Sequence, residues 1–370
     1  MFTFDVADEI LHTAITDICP AAQLVVRRSD QELFARAYGW LDPQTRSRAA
    51  TLTTRFDLAS VTKLFAVTAF MTLVEGGWVM LDQPVSTVLP AFVGRRRIRP
   101  YEDPLAPGAW ITVEQADATV DAAQITFRQL LTHTSGLPAW RPLYRQQDTA
   151  AARQMALNTF FSYLPGTHVV YSDIGLILLG FVIEKVTGLA LETAIRARVL
   201  APLGLRHTDY CPPPALCDSV APTEFCRWRD RRIQAEVHDE NAYRLSGVSA
   251  HAGLFSTARD VAAFGQSFLS GGLLSWVTVD EMTRCQTEEK GVRRGLGFAL
   301  HVDDPESSGY PFSAHAFGHT GFTGTSLWID PVRELVVALL TNEVYHGRES
   351  RNIAPLRVAV HRAIVDVLDG

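Results

Sequence analysis

The chain is short of several features that assign a protein quickly. Only five of its 370 residues are cysteine (Cys19, Cys211, Cys217, Cys226 and Cys285). Their number is odd, their spacing irregular and no C-x-x-C pair occurs, which excludes a disulfide-stapled miniprotein and leaves them as mostly free thiols. Long apolar runs are missing too. The stretch from Gly175 to Ile183 is among the longest, and it falls well short of the roughly 20 residues that cross a bilayer. The first residues, Met1-Phe2-Thr3-Phe4-Asp5, have neither the basic start nor the apolar segment of a secretory leader, so a soluble, cytoplasmic protein without a membrane span is expected. Positive charge is in deficit: 34 Lys and Arg against 40 Asp and Glu give −6, and nucleic acid is not the expected partner. The one basic run, Arg95-Arg96-Arg97-Ile98-Arg99, is followed by Pro100 and Glu102-Asp103 and reads as a solvated loop. No H-E-x-x-H, G-x-S-x-G, Walker or Rossmann glycine pattern is present. His315 and His319 stand four apart, but in a segment that reads as loop and strand. Neither a metal site nor a nucleotide cofactor is expected.

What is present is a globular composition, 47% hydrophobic and 20% charged, long enough for about two domains and a large core. Apolar residues at helical spacing from Val6 to Ile18 follow Asp5, the expected N-cap. Gln23–Arg27 and Glu32–Tyr38 read as a hairpin joined at Ser29-Asp30. Residues 60–75 are apolar on nearly every side, as in a buried helix, and Gly76-Gly77 ends it. From about 80 to 245 Pro-rich loops alternate with short helical patterns. One opens at the capping box Thr126-Phe127-Arg128-Gln129, and another runs from Ile174 to Thr187 before Gly188. Residues 209–240 look irregular. Beyond 250, a helix capped at Thr257 precedes strand-like runs at Leu296–Val302, Thr325–Ile329 and Leu335–Thr341, and Ala354–Leu368 closes the chain as an amphipathic helix. No internal repeat appears. Strands near both termini with helices between them predict an α+β fold: an antiparallel sheet flanked by helices, built from residues 1–80 and 246–370, with a mostly helical insert at 81–245.

Three short segments carry chemistry. Ser60-Val61-Thr62-Lys63 places a hydroxyl and an amine on one helix face, about one turn apart. A serine hydroxyl attacks a carbonyl only when something takes its proton. A Lys in an otherwise apolar helix needs a partner or a cleft. Tyr171-Ser172-Asp173 stands immediately before a helix, and His319-Thr320-Gly321 before a strand. Each alone has an ordinary structural explanation.

Together and in this order they resemble the serine β-lactamase and penicillin-binding-protein superfamily, above all its class C branch with related esterases and D-amino-acid peptidases. That family has S-x-x-K, Y-x-N and K/H-T/S-G, the last on an edge strand. Tyr171 lies 111 residues beyond Ser60, and His319 lies 148 beyond Tyr171, intervals that match the family. The segments Leu130-Leu131-Thr132-His133-Thr134-Ser135-Gly136-Leu137, His238-Asp239-Glu240-Asn241-Ala242, Gly253-Leu254-Phe255-Ser256-Thr257 and Gly318-His319-Thr320-Gly321-Phe322-Thr323-Gly324 are similar to the same branch. The likeness spans about residues 15–365. It implies a serine hydrolase without cofactor, acting on a small-molecule or short-peptide ester, amide or β-lactam through an acyl-enzyme on Ser60. Lys63 and Tyr171 would share the proton transfers, and the N–H groups of Ser60 and Phe322 would form the oxyanion hole. His319, Thr320, Gly321 and Asp173 would line the substrate. A binding module that senses acylating ligands without turnover, and an acyltransferase, are the alternatives. The oligomeric state is open.

Two departures from the family pattern carry expectations of their own. Asp173 stands where the family has Asn; an ionised carboxylate only accepts hydrogen bonds, so Asp173 is expected to pair with Lys63 and keep it charged. A charged amine is a poor base, which shifts that role toward Tyr171. His319 stands where Lys is common and, at an ordinary pKa of about 6.5, would be cationic only on the acid side of neutrality.

Overall fold

The computed structural model describes residues 2–15, 17–106, 108–116, 118–349 and 352–370. Its framework is one antiparallel sheet of eight strands, numbered here in chain order: β1 (Ala21–Arg28), β2 (Gln31–Gly39), β3 (Thr287–Glu289), β4 (Val292–Arg294), β5 (Ala299–Leu300), β6 (Phe317–Thr320), β7 (Ser326–Asp330) and β8 (Leu335–Thr341). The spatial order is β3-β4-β5-β6-β7-β8-β1-β2. The hairpin near the N-terminus therefore joins the C-terminal meander through β1 and β8, in the register Ala22 opposite Thr341 to Arg28 opposite Leu335.

Alternation along the strands explains why both faces of the sheet are covered. Leu24 and Val26 of β1, with Leu335, Val337 and Leu339 of β8, point into one apolar cluster; there they meet Leu11 of helix α1 (Asp5–Ala14) and Val360 and Ile364 of the C-terminal helix Ile353–Asp369. Val25, Val336, Ala338 and Leu340 point the other way, against the two helices α2 (Thr62–Glu75) and α4 (Ala258–Ser270). Helix α4 comes close because residue 265 is glycine: a Cβ there would stand 2.7 Å from Val336. The same cluster continues through α2 into the middle of the chain, taking in Ile177, Leu178 and Val182 of α3 (Asp173–Thr187). Among the described residues no single helix is long and apolar enough to cross a membrane.

Several local expectations needed correction. Asp5 lies in the first turn of α1 rather than capping it; the N-cap is Phe4, with no side-chain cap. The helix ends at Ala14, short of Ile18. The basic run is not loop: Arg95–Arg97 forms a short strand paired with Thr119–Asp121, and Arg96 donates to Thr159 O at 2.8 Å. The strand expected over Leu296–Val302 is only Ala299–Leu300, because Gly297 at φ +77° turns the chain against Val67. Residues 209–240 include short strands at Asp209–Tyr210, Phe225–Cys226 and Arg231–Arg232. The His319-Thr320 segment precedes the strand β7 as expected, but it is itself the end of a strand, β6, which is interior to the sheet rather than at its edge. Its outer neighbour β5 pairs only with Phe317 and Gly318, so the strand edge opens at His319 and Thr320. The capping box at Thr126, the Ser172 cap of α3 and the Thr257 cap of α4 are all formed.

Candidate active site

Ser60 sits at the entry to α2, in a single 3-10 turn, Ala59–Val61. Ala59 takes φ +44°, a left-handed conformation unusual for a residue with a side chain. It is held there by Asp57, whose Oδ1 accepts from Ala59 N at 2.8 Å while Oδ2 accepts from His238 N at 2.7 Å. Burial pushes the Asp57 carboxyl up to about 6. The turn after β6 clasps the same segment. Thr323 Oγ1 donates to Asp57 O at 2.7 Å, and Thr325 Oγ1 to Leu58 O at 2.9 Å. Gly321 permits this approach, since a Cβ there would stand 2.5 Å from Leu58 O. Phe322 follows in the turn, and its N–H meets no acceptor among the described residues.

Lys63 is 1% exposed and fully engaged. Its ammonium donates to Ser60 Oγ at 2.8 Å and to His251 O at 3.0 Å, and lies 2.8 Å from Asp173 Oδ1. Burial works against its charge, but the Asp173 carboxylate and Tyr171 outweigh it, and the Lys63 pKa rises. The ion pair expected between Asp173 and Lys63 is thus in place. Tyr171 stacks beside them, the Lys63 ammonium 4.8 Å from its ring centre. Burial and the Asp173 charge raise the phenol pKa against the opposing pull of Lys63, so the resting tyrosine is the neutral phenol.

Two imidazoles flank Tyr171 with opposite polarity. His133, its ring centre 4.8 Å away, accepts the Ser172 N–H on Nδ1 at 3.0 Å, so its proton is on Nε2. His319, at 5.7 Å, uses Nδ1 to donate to Thr320 O at 2.7 Å, leaving a lone pair on Nε2. Both Nε2 atoms and the Tyr171 hydroxyl are buried without a hydrogen-bond partner. Burial, reinforced by Arg294 and Lys63, pulls His319 down to about 3 and His133 well below its usual value. The expectation that His319 titrates near neutrality is therefore overturned: it is neutral throughout the working range. His315 lies elsewhere, along a separate groove with Cys285 and Trp276.

Sequence reasoning passed over the cation that does face this corner. Arg294, at the end of β4, places its guanidinium 5.3 Å from the Tyr171 ring centre. It has no ion-pair partner among the described residues, and its Nε is buried and unpaired. The pairing of β4 with β5, Arg294 opposite Ala299, brings it towards β6 and the site; no local motif marks it. Also missed was the pair His251–Asp239, at 2.9 Å, with Ser249 Oγ 2.7 Å from His251 Nδ1. Ser60, Tyr171, Asp173, His319, Thr320, Gly321, Phe322 and Arg294 all line one cavity of about 950 Å³. Lys63 lies directly beneath Ser60.

Residues 13–361 match the Beta-lactamase family. The chain belongs to that family. A protein of Salmonella paratyphi B named "Putative D-alanyl-D-alanine carboxypeptidase" is 29% identical over 400 aligned positions, covering 95% of this chain and 87% of that protein. Its counterpart in Salmonella newport matches equally. Among solved structures, this member of the family superposes on EstCE1, a hydrolase with promiscuous acyltransferase activity, with a TM-score of 0.73 and 22% identity, covering 97% of this chain and 98% of that one. A penicillin-binding protein homologue from Caulobacter crescentus gives 0.74 and 19%, with coverage of 98% and 97%. These likenesses establish the β-lactamase and penicillin-binding-protein fold.

Proposed function

We propose that this chain is a serine hydrolase that forms an acyl-enzyme on Ser60 and prefers a short substrate whose leaving half ends in a free carboxylate, as in a D-alanyl peptide. The observation that carries the reading is the Ser60–Lys63–Asp173 chain of contacts, each 2.8 Å, at the floor of a cavity beside Tyr171. The carboxypeptidase name borne by the Salmonella relatives supports the substrate class.

The proton chemistry follows from shared charge. Lys63 and Tyr171 are both protonated at rest, and the active form is the pair with one proton removed. Asp173 favours the version in which Lys63 keeps its charge and Tyr171 becomes the phenolate. That phenolate accepts the Ser60 proton as Oγ attacks, then returns it to the leaving nitrogen or oxygen. The N–H groups of Ser60 and Phe322 receive the carbonyl oxygen as its charge develops. Water then enters on the same face and releases the acyl group. A neutral His319 supplies no fixed charge for a carboxylate; Arg294 supplies it instead, unpartnered and adjacent to the residue that protonates the leaving group.

The test is labelling followed by turnover. Wild-type protein treated with a fluorophosphonate or penicillin should gain one adduct on the peptide containing Ser60, and Ser60→Ala should lose it while keeping its circular dichroism. Turnover of D-alanyl peptides or short esters should fall at least about 10³-fold in the same variant. An adduct on another serine would overturn the assignment. A stable adduct with no turnover would favour an acyl sensor, and transfer to added alcohols in preference to water an acyltransferase.

A further inference from the structure

The cavity has a second end. Tyr171, Arg294 and His319 form one group of contacts in the cavity wall, and His238 against Phe322, ring centres 5.6 Å apart, forms another with different charged neighbours. Under the proposed reaction Tyr171 protonates the leaving group, so the His238 end receives the acyl half of the substrate.

That end is rich in unsatisfied acceptors. The His238 side chain is 5% exposed, lines the cavity, and has no hydrogen-bond partner on either ring nitrogen among the described residues. Burial lowers it to about 4, so it is a neutral imidazole with one lone pair to offer. Asp239 and Glu240 line the same cavity. Asp239 uses one oxygen for both His251 and Ala242 N, and Glu240 uses one for Arg348. The second oxygen of Asp239 makes no hydrogen bond among the described residues, and beyond Arg348 the Glu240 carboxyl meets only its own backbone N–H. Glu224 adds a third carboxylate, 3.8 Å from His238 and 2.7 Å from Arg348. Arg348 answers Glu224 and Glu240, Asp239 is paired with His251 and feels Lys63, and Arg229 stands behind His238 at its backbone carbonyl. Burial and the neighbouring Asp239 charge raise the Glu240 pKa despite Arg348.

We propose that this end of the cavity is a subsite for a protonated primary amine carried by the acyl half of the substrate. An ammonium has three N–H donors, and Asp239 Oδ2, the Glu240 carboxylate and a ring nitrogen of His238 are three acceptors with lone pairs to spare. A buried imidazole without partners costs free energy unless a ligand completes it, which is the sign that the group is kept for binding rather than for packing. With Arg294 in the other group, beside Tyr171, the cavity suits a zwitterion: an amine on the acyl side and a carboxylate on the leaving side. This inference rests on the acyl-enzyme reading for its orientation.

The experiment is a matched pair of short acyl-D-alanine ligands, one with a free amine on the acyl half and one with that amine acetylated, titrated calorimetrically into Ser60→Ala. The free amine should bind about tenfold or more tightly, the scale of a charge-assisted hydrogen bond, and Glu240→Gln in the same background should bring the ratio towards one. Equal binding, or tighter binding of the acetylated ligand, overturns the subsite. So does an amine preference that Glu240→Gln and His238→Gln both leave intact. Turnover of the same pair by wild type separates the two readings. Hydrolysis at Ser60 with no amine preference leaves the hydrolase standing and removes the subsite. Amine-selective binding with neither labelling nor turnover at Ser60 does the reverse.

Discussion

The two walls of the cavity handle buried charge in opposite ways. On the α2 wall, Lys63 has three partners within 3.0 Å and a carboxylate to neutralise it. On the sheet wall, Arg294 has, among the described residues, only the face of Tyr171, and His319 keeps an Nε2 without a hydrogen bond. A buried cation is tolerated when paired and costly when not. The first wall is therefore complete without substrate, as suits groups that move protons in every turnover. The second is left incomplete, as suits groups whose partner is the substrate.

Replacing each cation by an apolar residue of similar length puts this contrast at risk. Lys63→Met strands the Asp173 carboxylate and should destabilise the protein by about 3–5 kcal/mol, the usual cost of breaking a buried pair. Arg294→Met removes an unpaired charge and should leave the thermal midpoint unchanged or higher. Equal losses in thermal denaturation would show that Arg294 is as well compensated as Lys63, and the contrast would fail.

The next effect concerns recognition. Arg294→Met should lower kcat/KM for a substrate ending in a free carboxylate roughly 10–100-fold relative to its amide, as expected for one charge-assisted contact. A uniform loss for both substrates would make Arg294 a support for Tyr171 rather than a carboxylate receptor.

A smaller effect is a displaced pH profile. Asp173 raises the pKa of both Lys63 and Tyr171. With Asp173→Asn both fall, the singly deprotonated pair appears at lower pH, and the rising limb of kcat/KM should move towards acid. Movement towards alkali, or none, would show that the limb belongs to another group.

The smallest expected effect is an absence. His319 lies at about 3 because of burial, Arg294 and Lys63, so carboxylated and neutral substrates should show parallel KM profiles between about pH 6 and 8. A gain for the carboxylated substrate alone on acidification would mean that His319 gains a proton when substrate binds.

The ion pair between Lys63 and Asp173 was legible in the sequence because it depends on charge type and on motifs whose order and spacing resemble a family. The charge state of His319 was not, because burial and the approach of Arg294 set it, and Arg294 comes from a strand 25 residues away whose pairing no local pattern announces. The basic run at Arg95–Arg97 was misread for a similar reason. Its strand exists only because Thr119–Asp121 pairs with it, and high local charge masked the extended conformation.

By itself the sequence determined the elements with strong periodicity or capping chemistry: the apolar helix after Ser60, the capped helices beginning at Phe127, Asp173 and Ala258, and the strand Leu335–Thr341. Those signals lie within a few turns of chain, where side-chain spacing and backbone hydrogen bonding act directly. Tertiary structure alone decided which polar atoms are left without partners. Burial, tautomer and counter-charge at Arg294, His319 and His238 depend on segments far apart in sequence that meet around one cavity, and desolvation is a property of that enclosure rather than of any residue in it.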